Sequence, residues 1–270
     1  VPGNLTIENA AVTMGATPGQ IASESNVTIR GGGSLTFANY AALTTQNLQS
    51  LTFVNEGGAA TPTFSLGTPT VAAATVVLTS ANPITSTNDS FSFTPLVTGS
   101  GNFAFLQFSA ANPVITVNQG LAPTGLSIAA AISQHTSMTS LTKAGNGVLD
   151  MRGASTFTSG FNLQAGGLMF GANSTPTSGA VTSGPVGRGS LSIAAGTFLL
   201  SDGTARTIAN AVTVGGDFSF GGLVAGNSLI LSGPADLGAA SRTITVTSPA
   251  VTGTLSGPLA STATGTALTK

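Results

Sequence analysis

The chain has no cysteine and no tryptophan, one tyrosine, one histidine, and charged side chains at only 6% of its 270 positions. Without cysteine there are no disulfides, no thiol nucleophile and no thiolate-ligated metal. A small fold stapled by disulfides is excluded as well. Ordinary globular proteins carry about 25% charged residues; here Gly, Ala, Ser and Thr fill that space. A net charge of −1 leaves no electrostatic footprint for nucleic acid or an anionic membrane. Disorder requires low hydrophobicity together with high net charge. The mean hydropathy is +0.39, so order is expected. No run of 18 apolar residues occurs, and no charged segment followed by an apolar one opens the chain. It reads as a mature form or a fragment with no transmembrane segment of its own.

What the sequence does contain is one short unit, used again and again. GNLTIENA (3–10), SNVTIRGG (25–32), GSLTFANY (33–40), QSLTFVNE (49–56), TVVLTSAN (75–82), GLSIAAAI (125–132), GSLSIAAG (189–196) and NSLILSGP (227–234) alternate apolar residues with Thr, Ser or Asn. That period of two marks strands with one buried face. Gly-Gly, Asn-Pro, Ser-Gly-Pro and Asp-Gly punctuate turns between them. Helical periodicity is almost absent, and even Gly125–Ser140 alternates through Leu126, Ile128, Ala130 and Ile132.

Strand starts recur every 16–25 residues or so, which suits either a sandwich or a solenoid. The 36 glycines and abundant small side chains favour stacked coils, and so does the scarcity of charge. Equivalent positions in neighbouring coils lie only about 4.8 Å apart, so like charges would repel. A sandwich brings a denser aromatic core and more regular turns. The expected fold is all-β: a parallel, right-handed β-solenoid of roughly a dozen coils forming one rod. A composition shift near Leu141 divides it into an Ala/Thr/Pro-rich half, 1–140, and a Gly/Arg-richer half, 141–270, with a seam and no linker.

The segment SLTKAGNGVLDMRGASTFTSGFNLQAGGLMFG (140–171) resembles the autotransporter-associated β-strand repeat, usually close to LTKxGxGxLxLxGxNxYxGxTxVxxGxL. Leu141, Thr142, Lys143, Gly145, Gly147, Leu149, Gly153, Phe157, Gly160, Leu163, Gly167 and Leu168 fall on that pattern. Phe157 replaces a common Tyr and Met151 a common Leu. Residues 187–222 look like its continuation, and the resemblance covers about 125–270. It implies a right-handed solenoid exported to a Gram-negative bacterial surface, with a membrane barrel or other anchor outside this chain. The absence of cysteine agrees with passage through a narrow pore. Leu268-Thr269-Lys270 repeats Leu141-Thr142-Lys143 and reads as the start of a further repeat.

The ionisable groups are few: Glu8, Glu24, Glu56, Asp89, Asp150, Asp202, Asp217 and Asp236; Arg30, Lys143, Arg152, Arg188, Arg206, Arg242 and Lys270; and His135. A catalytic triad has only His135 to use, and no G-x-S-x-G elbow accompanies it. Glycoside hydrolysis needs two facing carboxylates, but the acids stand singly, most beside turns. Gly215-Gly216-Asp217 is a single weak echo of a calcium nonapeptide, and GPVGRG (184–189) lacks the ending of a phosphate loop. The sequons at Asn4, Asn26, Asn88 and Asn173 are what chance gives in such a composition. Phe91, Phe93, Phe103, Phe105 and Phe108 are expected to stack in the core.

The reading is therefore a structural protein with no catalytic residue, cofactor or metal. It is a rod at the bacterial cell surface that extends from the cell or stacks end to end into an extracellular filament. Its partner would be itself, end to end or laterally, or other surface components. The stacking residues are expected in the terminal coils, at Asn4, Leu5 and Ile7 and at Leu255 and Leu268. An adhesin would instead use its lateral face, with Thr61–Val71 as a candidate patch. A polysaccharide-degrading enzyme would need acids and an arginine gathered on one face.

Overall fold

The computed structural model describes residues 3–15, 19–37, 44–68, 74–99, 104–222 and 227–270. Among these there is no helix. Two sheets of eleven strands each run along the molecule, and all their pairings are parallel. Successive coils each add one strand to both sheets, from Leu5–Glu8 and Ala11–Met14 in the first coil to Leu259–Ala260 and Leu268–Thr269 in the eleventh. A third side carries four strands, ending at Thr44–Leu48 and Ala131–Ile132, and farther on three more, from Arg206–Ile208 to Gly253–Leu255. This is a parallel β-solenoid.

The alternation in sequence decides what faces inward. In Asn26–Arg30, Val27 and Ile29 are buried while Thr28 and Arg30 reach the surface. Register then turns each position into a column along the rod. One inward column runs Leu5, Val27, Leu51, Ile84 and Ile115, then Lys143, Leu163, Ile193 and Val214. The outward column beside it is Thr6, Thr28, Thr52, Thr85 and Thr116. Each fully buried Leu, Ile or Phe is worth about 1.5–3 kcal/mol over its exposed state. Because a coil packs only against its neighbours, that gain is collected locally, coil by coil.

Every segment picked out by alternation forms a strand, but the coil length differs from the expectation. It ranges from 19 residues, Val148 to Gly167, to 33, Leu51 to Ile84. Strand spacing under-read it because each coil holds two or three strands. Leu126–Ile128 and Ala131–Ile132 are separate strands around a corner. Both long sheets cross 140/141 without a break.

Two expectations need correcting. The phenylalanine stripe is not core: Phe91 is 76% exposed, Phe93 and Phe105 are half-buried, and only Phe108 is fully inside; Phe103 lies outside the described residues. Phe91 stands in a turn, and Phe105 occupies an outward position between inward Ala104 and Leu106. The candidate patch Thr61–Val71 is described up to Thr68. Thr63–Ser65 is a strand of the second sheet, with Pro62, Phe64 and Leu66 buried. Lastly, the two Leu-Thr-Lys copies are not equivalent. Leu141–Lys143 lies in the first sheet, whereas Leu268–Thr269 lies in the second, and Lys270 is exposed where Lys143 is buried. Three matching residues do not carry the turn that sets coil phase.

Candidate functional site

The alternation that buries Leu141 also buries Lys143, since residues two apart on a strand share a face. Lys143 has no exposed surface. Its Nζ donates to the carbonyl oxygens of Gly145 (2.6 Å), Gly147 (2.5 Å) and Ala165 (2.7 Å). Gly145 and Gly147 belong to its own turn; Ala165 belongs to the turn of the next coil. The three N–H groups of an ammonium are matched by three acceptors. Burial pulls the Lys143 pKa from 10.5 to about 7. The carbonyls act the other way, because the neutral amine offers only two donors.

The motif glycines have the same cause. Gly145 sits at φ +77°, and a Cβ there would meet the Val117 oxygen at 2.3 Å. At Gly166, φ +69°, a Cβ would lie 2.6 Å from Lys143 Nζ and from the oxygens of Gly145 and Gly147. Leu149 is buried, and Gly153 packs under the Ala130 carbonyl. Residues 141–153 thus form a turn closed by a lysine, and Thr142 points outward between the two inward residues. Elsewhere amides do a similar job. Asn55 Nδ2 donates to Asn88 Oδ1 (2.7 Å), and Asn210 Nδ2 donates to the carbonyls of Gly187 and Gly189.

The acids are not all solitary, which corrects the sequence reading. Asp150 points away from the core, yet it is 2% exposed. It sits beside a second apolar cluster of Val148, Met169 and Leu200. Its Oδ2 accepts from Ser127 Oγ (3.0 Å) and Arg152 Nε (2.5 Å), while Oδ1 has no partner. The Arg152 stem crosses Gly171, where a Cβ would meet its Cγ at 2.3 Å. Arg152 Nη1 then comes within 3.5 Å of Asp202 Oδ2, two coils away. Arg206 completes the network through two donors to Asp202 at 2.9 and 2.7 Å.

Burial raises the Asp150 pKa, with Arg152 opposing. For Asp202 burial also pushes upward, but Arg206 and Arg152 outweigh it and hold the carboxyl below its usual range. Arg152 thus bridges Asp150 and Asp202, and Arg206 holds Asp202 from the other side, a strut that spans two coils. The signal in sequence was the D-x-R spacing, which puts Asp150 and Arg152 on one face of the chain.

No family model, curated protein or solved structure matches the chain.

The other candidates are apart. His135 lies in a turn with its ring against Ser137 Oγ at 2.8 Å. Asp217 accepts the Thr243 N–H, which ties two coils. Among the described residues no group of three or more His, Asp or Glu is placed to hold a metal, and no helix is long and apolar enough to cross a membrane. At the first coil, Ile7 is buried, Leu5 is half-buried and Asn4 is exposed, its Oδ1 accepting from the Asn26 backbone N–H at 3.0 Å. At the far end Leu255 is half-buried and Leu268 is 41% exposed.

Proposed function

We propose that this chain is a non-catalytic structural rod, either a segment of a bacterial surface protein or a subunit of an extracellular filament. The observation that carries the reading is the use made of its polar groups. The buried lysine, the buried asparagines and the Asp–Arg strut all tie one coil to another, in a molecule with two unbroken eleven-stranded sheets. Such a rod bears load through backbone hydrogen bonds along its axis and apolar ladders within. The resemblance of residues 140–171 to the autotransporter-associated repeat supports the surface location.

Immunogold labelling of the source cells tests this, together with assay of the purified chain against a polysaccharide panel. Label on the cell exterior or on filaments, with no turnover, is the expected result. Label inside the cell, or cleavage of a polysaccharide, contradicts it.

A further inference from the structure

Two apolar side chains stand out from the wall of the rod in its middle coils. Phe91 and Leu121 are 76% and 71% exposed, the most exposed large apolar residues among those described. Both sit at the corner where a coil passes from the first long sheet to the second. That corner takes seven residues in the third and fourth coils (56–62 and 89–95) and eight in the fifth (118–125). It takes three in the sixth and seventh (145–147 and 164–166) and four in the eighth (194–197). The longer turns project as a knob, and its parts are tied together. The Leu121 N–H donates to Asp89 Oδ1 at 2.8 Å, and the Phe93 N–H donates to Ser90 Oγ at 3.2 Å. The turns pack so closely that a Cβ at Gly120 would lie 2.1 Å from the Asn88 oxygen.

The same corner is hollow a few coils on. The outward positions that follow Lys143, Leu163, Ile193 and Val214 are Ala144, Gln164, Ala194 and Gly215. A trough of about 400 Å³ opens there, lined by Leu163, Ile193 and Ala194 and by the polar Asn162, Gln164 and Ser192. No ionisable side chain lines it. The one acid in the turns of Phe91 and Leu121 is Asp89, already engaged by the Leu121 N–H. Exposed apolar patches rimmed by polar groups mark interaction sites. Here the projecting patch and an uncharged recess lie along one corner of one molecule.

We infer that the Phe91/Leu121 knob docks in the trough around Ala194 of a second copy of this chain, the two rods lying side by side and antiparallel. The sixth coil supplies the symmetry. The knob stands one and two coils before it, and the trough lies one and two coils after it. A two-fold axis through the 145–147 turn sets the fifth coil against the seventh and the fourth against the eighth. Leu121 of each copy then meets Gln164 of the other, and Phe91 meets Ala194, so both contacts form twice. With no charge in the trough, two copies approach without repulsion, and a knob held by its own hydrogen bonds has little freedom to lose on docking. An isologous contact of this kind closes at two copies. The inference goes beyond the structural reading above and does not depend on it.

The axis passes the exposed Asn146, and the chain has no cysteine of its own. Asn146→Cys is therefore oxidised in the full chain at rising concentration, beside Thr182→Cys, which is exposed on another side of the rod. A disulfide dimer is expected for Asn146→Cys, at least tenfold more than for Thr182→Cys, and at least tenfold less once Phe91→Ser/Leu121→Ser is added. Both serines replace exposed side chains, and circular dichroism should stay β-type. Sedimentation equilibrium of the chain without cysteine is the second measurement, with dimerisation weakened at least tenfold by the same two serines. Cross-linking of Asn146→Cys no greater than that of Thr182→Cys, or dimers indifferent to the serines in either measurement, overturns the docking. That outcome leaves the structural reading intact, whereas polysaccharide cleavage overturns the reading itself.

Discussion

Lys143 Nζ lies 2.7 Å from the carbonyl oxygen of Ala165, so a side chain of one coil closes the turn of the next. The contact sits in a column of Ile115, Leu163 and Ile193, where an apolar residue would be expected. A buried ammonium is tolerated there because each N–H has an acceptor.

The titration of Lys143 has a definite sign. Its folded pKa is about 7 and its ordinary value is 10.5. Between these the unfolded chain binds more protons, so stability rises with pH across that window. The full gain is at most on the order of 5 kcal/mol. Urea midpoints measured from pH 6 to 10 should climb, and Lys143→Met should flatten the slope. An unchanged slope in that variant would assign the effect elsewhere.

Gly166 and Gly196 separate backbone strain from crowding. Both have positive φ, but a Cβ at Gly196 meets nothing within 4 Å. Gly196→Ala should cost about 1 kcal/mol from conformation alone. Gly166→Ala adds a clash with the lysine cage and should cost at least twice as much. Thermal or urea melts of the two variants make the comparison; equal losses would deny the cage its tightness.

Removing Arg152 should be worse than removing the strut. Arg152→Ala leaves Asp150 buried without its cation, at a cost of about 3 kcal/mol. Asp150→Leu/Arg152→Met should recover most of this, since Asp150 shares its column with Met169 and Leu200. A double variant no more stable than Arg152→Ala would contradict the argument.

The fold was legible because a period of two with small turn residues dictates inward and outward columns whatever the coil length. The motif residues were legible as letters but not as a mechanism. Only the register shows that Lys143 reaches Ala165, 22 residues on. The Arg152–Asp202 contact spans 50 residues and two coils, and no local pattern encodes it. Phe91 and Phe105 misled because alternation says that residues share a face without saying which face is buried.

The most direct test of the rod account is cryo-electron microscopy of the native material at low and high concentration. Rods with a spacing near 4.8 Å along their axis, to which these eleven coils contribute about 50 Å, are what the account predicts. Compact particles, or strands running along the long axis instead of across it, would contradict it.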